Sequence, residues 1–478
     1  MPSRPVPALA TVFLVVGLIA CGESEIVPGA PREPAIPAFV GGDACVRCHR
    51  VQSNYWSGSH HDLAMQEVSD FTVLGDFNDM TFTYAGMTST FFKRDGRFFV
   101  RTDGPDGELT EYPIAYTFGA VPLQQYLVEF PGGRLQVLSI CWDTRPAAQG
   151  GQRWFHLYPD EKIDHNDELH WTGRQQNWNY MCAECHSTHV VKGYLEAEDR
   201  YETTWSELDV SCEACHGPGS AHVAWARERE KRKGQEEVLD SPAAAGDMEL
   251  AVRFKDPQEV HWAIDLETGT AKRSVPRESH FEVETCGRCH ARRSPIDEEY
   301  RYGRPLLDTH RVALLDEALY YPDGQILEEV YVYGSFLQSR MYAAGVTCSD
   351  CHDPHSGGLY AEGNGLCARC HAPHRFDTPE HHFHKAESTG ALCVECHMPV
   401  RSYMVVDPRH DHSLRIPGRI CRSSWEAPMP VARATRTSRS SGTSRRWRPG
   451  TDPIGGRSRT GARPSTRGVR PAPAPKRS

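Results

Sequence analysis

The chain has 478 residues, of which 39% are apolar and 24% charged, and a formal net charge of −10. That length accommodates two or three domains, but the modest apolar share excludes a core built from side chains alone, so some other material must complete it. The seventeen cysteines indicate what that material is.

Residues 1–20, MPSRPVPALATVFLVVGLIA, set one Arg ahead of an apolar run from Leu9 to Ala20 that is too short to span a bilayer, and they read as a secretion signal. The run closes on Leu18, Ile19, Ala20 and Cys21, the pattern at which bacterial lipoproteins are cut and acylated. Cys21 is therefore the expected lipid anchor; an ordinary signal peptide with an incidental Cys21 is the plainer alternative. Gly22, where an acidic residue would retain a lipoprotein at the inner membrane, favours the outer membrane. Residues 21–40 are Pro-rich and suit an extended tether. Export also sets the compartment, in which cysteines form disulfides, bind metal or are modified.

The pattern Cys-x-x-Cys-His then occurs seven times: Cys45, Cys48 and His49; Cys182, Cys185 and His186; Cys212, Cys215 and His216; Cys286, Cys289 and His290; Cys348, Cys351 and His352; Cys367, Cys370 and His371; Cys393, Cys396 and His397. Composition alone predicts about 0.03 matches, so the repetition is not accidental. Cysteines three apart on a helical turn share one face, and each thiol can add to one vinyl group of the same haem. The following His then supplies a nitrogen to the iron. Zinc sites and local disulfides also use paired cysteines, but neither explains a His after every second Cys. Seven covalently attached haems c are expected. Three cysteines remain: Cys21, Cys141 in an apolar run, where it reads as a buried thiol, and Cys421.

Seventeen of the 24 histidines lie outside the motifs, more than enough to give every iron a second imidazole. The candidates by position are His61, beside His60 on a helix expected to begin at the first motif, together with His222, His310, His355, His384 of the cluster His381, His382 and His384, and the pair His410 and His412. His156 and His170 flank the second motif. For any one of these, a surface or propionate-bonding role is the plainer reading. An iron served by two imidazoles is low-spin and suits electron transfer, whereas an open iron can bind a substrate.

Residues 41–75 form the first haem-binding segment. Between it and the next motif, residues 76–150 alternate apolar and polar residues around turns at Asp95-Gly96, Pro105-Asp106-Gly107 and Pro131-Gly132-Gly133, which predicts a small antiparallel insertion. Residues 151–415 hold six motifs in loop-rich sequence, with a charged helix expected over Ser220–Glu237. The last three motifs are crowded, which favours haems packed against one another. The expected fold is mainly α and irregular, haem-filled, with a small β insertion. Residues 416–478 carry fourteen Arg and one Lys against two acids, leaving −23 for residues 1–415. The tail is expected to be disordered, and its abrupt Arg-rich composition reads as a GC-rich gene translated out of frame. A nucleic-acid-binding arm is the alternative, disfavoured by export.

The stretches YWSGSHHDLAM, PLQQYLVEFPGGRLQ, GQRWFHLYPDE, NWNYMCAECHST, CEACHGPGS, AAGVTCSDCHDPHS and RSYMVVDPRHDHS resemble the multihaem c-type cytochromes with doubled motifs. They are similar in kind to the tetrahaem cytochrome of nitrification and, more distantly, to hydroxylamine oxidoreductase. The resemblance spans about residues 41–415. It implies distal ligation by His61, His222 and His355. Members of that group often continue into further motifs and tetratricopeptide repeats, which this sequence does not show. Pentahaem nitrite reductases carry a Lys in place of the motif His at their active haem; all seven motifs here end in His, which disfavours that reaction. The expected function is a membrane-tethered periplasmic electron carrier, meeting redox partners with basic docking surfaces and no nucleic acid. A multihaem oxidoreductase with one open haem, acting on a small nitrogen or sulfur compound, is the rival.

Overall fold

The computed structural model describes residues 37–231, 248–254 and 260–417. The leader, Cys21, the start of the tether, Cys421 and the tail from residue 418 lie outside the described residues. No helix among the described residues is long and apolar enough to cross a membrane. The chain divides into two compact units, residues 1–40 with 218–250, and residues 41–217 with 251–478. The described part of the smaller one centres on the helix Ser220–Lys231, which buries none of its residues, as its run of charges predicts. Ala38 N donates to Ser220 Oγ at its start, at 2.8 Å.

The larger unit is built on a nine-stranded antiparallel sheet: β1 Met65–Glu67, β2 Met80–Tyr84, β3 Met87–Arg94, β4 Arg97–Asp103, β5 Leu109–Phe118, β6 Leu123–Phe130, β7 Arg134–Val137, β8 Ile140–Asp143 and β9 Arg153–His156. The strand order is β2-β3-β4-β5-β6-β8-β9, with β1 added to β5 and β7 to β6. Each predicted turn joins neighbouring strands, and Asp95 and Gly96 both take the positive φ that such a hairpin demands. β6 explains the scale of the sheet, because its first six residues are buried on both faces. Tyr126 and Val128 point into a core with Phe77, Phe91, Leu138 and Trp154. Leu127 points the other way, toward Met65, Phe118, Trp178 and Ala183. Ala183 belongs to the second Cys-x-x-Cys-His motif, so the back of the sheet is the platform on which that motif sits.

These findings correct the expected fold class. The protein is not mainly α with a small β insertion; a large antiparallel sheet dominates one half, and helices elsewhere are short. The physical reason lies in the motifs themselves, since five residues make only one turn of helix, as in Cys212–His216 and Cys393–His397. His61 also leaves the expected helix, which ends at Trp56, and instead precedes the short 3-10 turn Asp62–Ala64.

Candidate haem-binding site

The same local geometry recurs from motif to motif. Backbone N–H groups of Cys48 and His49 both donate to Cys45 O, at 3.1 and 3.0 Å, and the turns at Cys348 and Cys367 repeat the pattern. Each turn brings its two thiols to one face, as addition to a single ring requires. The described cysteines form no disulfide, and among the described residues no three Cys, His, Asp or Glu side chains converge as a zinc site would need.

The motif turns face a shared space. One continuous cavity of about 2170 Å³ is lined by cysteine and histidine side chains of the second and the fourth to seventh motifs and by Cys215 of the third, with Phe118, Leu123, Val283, Phe336 and Phe376 among its apolar walls. Turns from different motifs meet across it or at its edge. The Cys45 thiol neighbours that of Cys212, Cys185 that of Cys289, Cys286 that of Cys348, and Cys367 that of Cys393. A large, apolar-walled space ringed by paired thiols and imidazoles fits covalently held haems, which when bound supply one-electron iron chemistry.

The proximal imidazoles are oriented by their Nδ1 atoms. His216 Nδ1 lies 2.9 Å from Val252 O, His352 Nδ1 3.2 Å from Gly357 O, His397 Nδ1 2.6 Å from Arg415 O, and His186 Nδ1 3.4 Å from Ala64 O. A carbonyl on Nδ1 fixes the tautomer and leaves Nε2 as the donor to iron. Burial also pushes His186 and His290 down to about 4, so both are neutral nitrogen donors near neutral pH.

Four motif histidines have a second imidazole at a telling distance. Ring centroids are 6.3 Å apart for His61 and His290, 6.5 Å for His355 and His216, 6.5 Å for His412 and His352, and 6.2 Å for His381 and His397. Two imidazoles bound to opposite sides of one metal at about 2.0 Å per bond have centroids roughly 6.3 Å apart. His61, His355 and His412, three of the expected candidates, thus lie at a distance from a motif histidine that one iron could span. Of the neighbouring candidates His381, His382 and His384, it is His381 whose ring faces a motif histidine, while the rings of His382 and His384 lie 6.4 Å apart.

The remaining candidates sit elsewhere. His310 is buried, with Nε2 2.8 Å from Glu184 Oε1 and Nδ1 2.9 Å from Thr309 Oγ1, so both ring nitrogens are engaged away from any motif histidine. His410 lines the cavity with its Nδ1 2.8 Å from Met398 O. In the smaller unit, the Nδ1 of His222 lies 2.7 Å from Met248 O. His156 and His170 belong to the sheet, stacking on Tyr84 and reaching Asp103 respectively. Cys141 is a fully buried thiol behind β6, whose pKa burial raises.

His186 differs from the four paired histidines. Its nearest ring is Phe118, 4.2 Å away between centroids, and among the described residues no imidazole stands opposite it at the iron-spanning distance. The cavity wall by Cys182 and Cys185 carries Tyr331, Glu329 and Arg409, the last held by Glu329 and Asp407 at 2.6 Å each. Together with His410, these residues also border a second cavity of about 330 Å³. His371 has no such partner either, but His382 and His384 line the cavity a few residues beyond it.

Comparison with known proteins follows the same line. Residues 150–216 match the family described as seven times multi-haem cytochrome CxxCH. No curated protein matches the chain. Among solved structures, the chain is similar to the outer cell wall cytochrome OcwA, with 17% identity, a TM-score of 0.48, and coverage of 79% of this chain and 80% of that one. It is also similar to an undecahaem cytochrome from the S-layer of Carboxydothermus ferrireducens (18% identity, TM-score 0.36, 79% and 53% of the two chains). A third likeness is to the octahaem sulfite reductase MccA of Wolinella succinogenes (15% identity, TM-score 0.33, 84% and 62%). With the family match lying over the second and third of its seven Cys-x-x-Cys-His motifs, this chain is a multihaem c-type cytochrome.

Proposed function

We propose that the chain carries seven covalent haems and relays single electrons between redox partners on the periplasmic side of a bacterial membrane, tethered by lipid on Cys21. The observation that supports the relay best is the single continuous cavity into which motifs two to seven send side chains. Rings held in one space would be close neighbours, the condition for electrons to hop between them. The cysteines hold the rings, the motif histidines supply proximal nitrogens, and His61, His355, His412 and His381 complete four irons. The acidic body, −23 over residues 1–415, complements basic patches on partners.

A second reading rests on His186. An iron held there, without an opposing imidazole, keeps a position open for a small nitrogen or sulfur compound, beside the polar wall of Tyr331, Glu329 and Arg409. Electron paramagnetic resonance of the oxidised, fully loaded protein tests both readings. Low-spin signals from the four paired irons are expected, with a high-spin signal of at least about one iron in seven, the His186 haem among its sources. High-spin signals from most irons would overturn the relay, and a wholly low-spin spectrum would overturn the open site.

A further inference from the structure

One buried charge touches three haem-binding turns at once. Arg288 occupies the second variable position of the fourth motif, on the helix Phe281–His290, and is only 5% exposed. Its Nη1 donates to Ala214 O of the third motif at 3.4 Å and to Tyr302 Oη at 3.1 Å. Its Nε lies 3.6 Å from Glu184 Oε1 of the second motif, too far for a hydrogen bond, and finds no other acceptor among the described residues. The guanidinium rests over the Tyr300 ring at 4.2 Å.

Glu184 is shared. Arg293 donates to its Oε2 at 3.0 Å, and His310 sits 2.8 Å from its Oε1. One carboxylate thus faces two guanidinium groups, and the cluster keeps a net positive charge inside an otherwise acidic protein. The first and sixth motifs also carry Arg at this position, but Arg47 and Arg369 are exposed where Arg288 is buried, and the fifth and seventh carry Asp350 and Glu395 there.

A permanent cation in a low-dielectric interior favours whichever state of a neighbouring group is less positive. A haem iron held at these motifs would carry one less positive charge after taking one electron from an adjacent haem, the state that a neighbouring cation favours. We propose that Arg288 is the positioning and potential-setting residue at the junction of the second, third and fourth motifs, placing their haems at the positive end of the protein's potential range so that electrons collect there. This builds on the relay reading, but makes a separate claim about Arg288.

The test is a spectroelectrochemical titration of the holoprotein with Arg288→Met, Arg288→Lys and Glu184→Gln. Arg288→Met should move the most positive one-electron steps to lower potential at unchanged haem content, while Arg288→Lys, which keeps the charge, should leave them close to wild type. Glu184→Gln removes the lone counter-charge and should move the same steps upward. Should Arg288→Met fail to load its haems, the sign of the Glu184→Gln shift decides. A wild-type titration for a loaded Arg288→Met, an equal shift in Arg288→Lys, or no upward shift in Glu184→Gln would overturn the proposal. Potentials are read at equilibrium, so the shifts can be present even if stopped-flow reduction finds haems isolated from one another; that outcome would remove the relay and leave Arg288 its role.

Discussion

The sheet and the haem-binding half of the larger unit solve the problem of a core in opposite ways. In the sheet, Phe77 packs edge-on against Phe91, Phe98, Tyr126 and Trp154 at 5.1–5.6 Å, and Phe91 stacks on Trp154 at 3.6 Å, so aromatic side chains fill the interior. Beyond β9, helices mostly of four or five residues, with the ten-residue Phe281–His290, surround a cavity of about 2170 Å³, and apolar clusters shrink to groups such as Val283, Phe336 and Val346. The sheet is held by its own sequence, whereas the other half is a lining shaped for something else. Cysteine pairs do there what phenylalanines and tryptophans do in the sheet.

The severest break in that contrast is removal of a ring. Cys286→Ser with Cys289→Ser deletes the haem of the fourth motif, whose helix meets the turns of the second, third and fifth. The haem-to-protein ratio should fall by more than one haem, and limited proteolysis should open residues 160–415 while sparing the sheet. A clean loss of one haem with unchanged protection would show that the cavity stands without it. Phe91→Ala attacks the other half: a destabilisation of about 3–5 kcal/mol in denaturant titration is expected, with the haem absorption of the folded protein unchanged. Smaller still, His61→Ala should convert one low-spin iron to high-spin, about one seventh of the total, and exogenous imidazole should restore it.

The mildest effect concerns Asp209, which leads into the third motif. Burial and the charges of Glu207 and Asp62 raise its carboxyl to about 7, and its Oδ1 is buried without a partner. The folded protein therefore keeps a proton that the unfolded chain releases near pH 4, and stability falls as pH climbs from about 4 to about 7. Asp209→Asn should flatten that slope, matching wild type at pH 4 and exceeding it in melting temperature at pH 8. Parallel slopes for the two proteins would contradict the assignment.

What could be read from the sequence follows the same divide. Covalent attachment demands a fixed five-residue pattern, so the fourteen thiols and seven histidines proposed to hold haems stand out without any structure. Distal ligands obey no such spacing. His61, His355 and His412 could be marked as candidates because each follows a motif or a marked turn, but that His381 rather than His382 or His384 faces His397 shows only in three dimensions. The contact of His310 with Glu184, 126 residues away in sequence, is equally invisible in the sequence. In the sheet, Gly-containing turns marked the hairpins, β6 among them, yet β1 at Met65–Glu67 and β9 at Arg153–His156 lie outside the span that those turns mark. The extent of the sheet, and with it the balance of helix and strand, was hidden for that reason.

Stopped-flow reduction of the fully oxidised holoprotein by a small one-electron donor, followed at the haem absorption bands, tests the relay most directly. A connected set of rings predicts that all haems fill from limiting donor according to their equilibrium potentials, with redistribution faster than electron entry. A fraction of haem that stays oxidised while others of lower potential are already reduced would mean that the cavity does not join them, and would contradict the account.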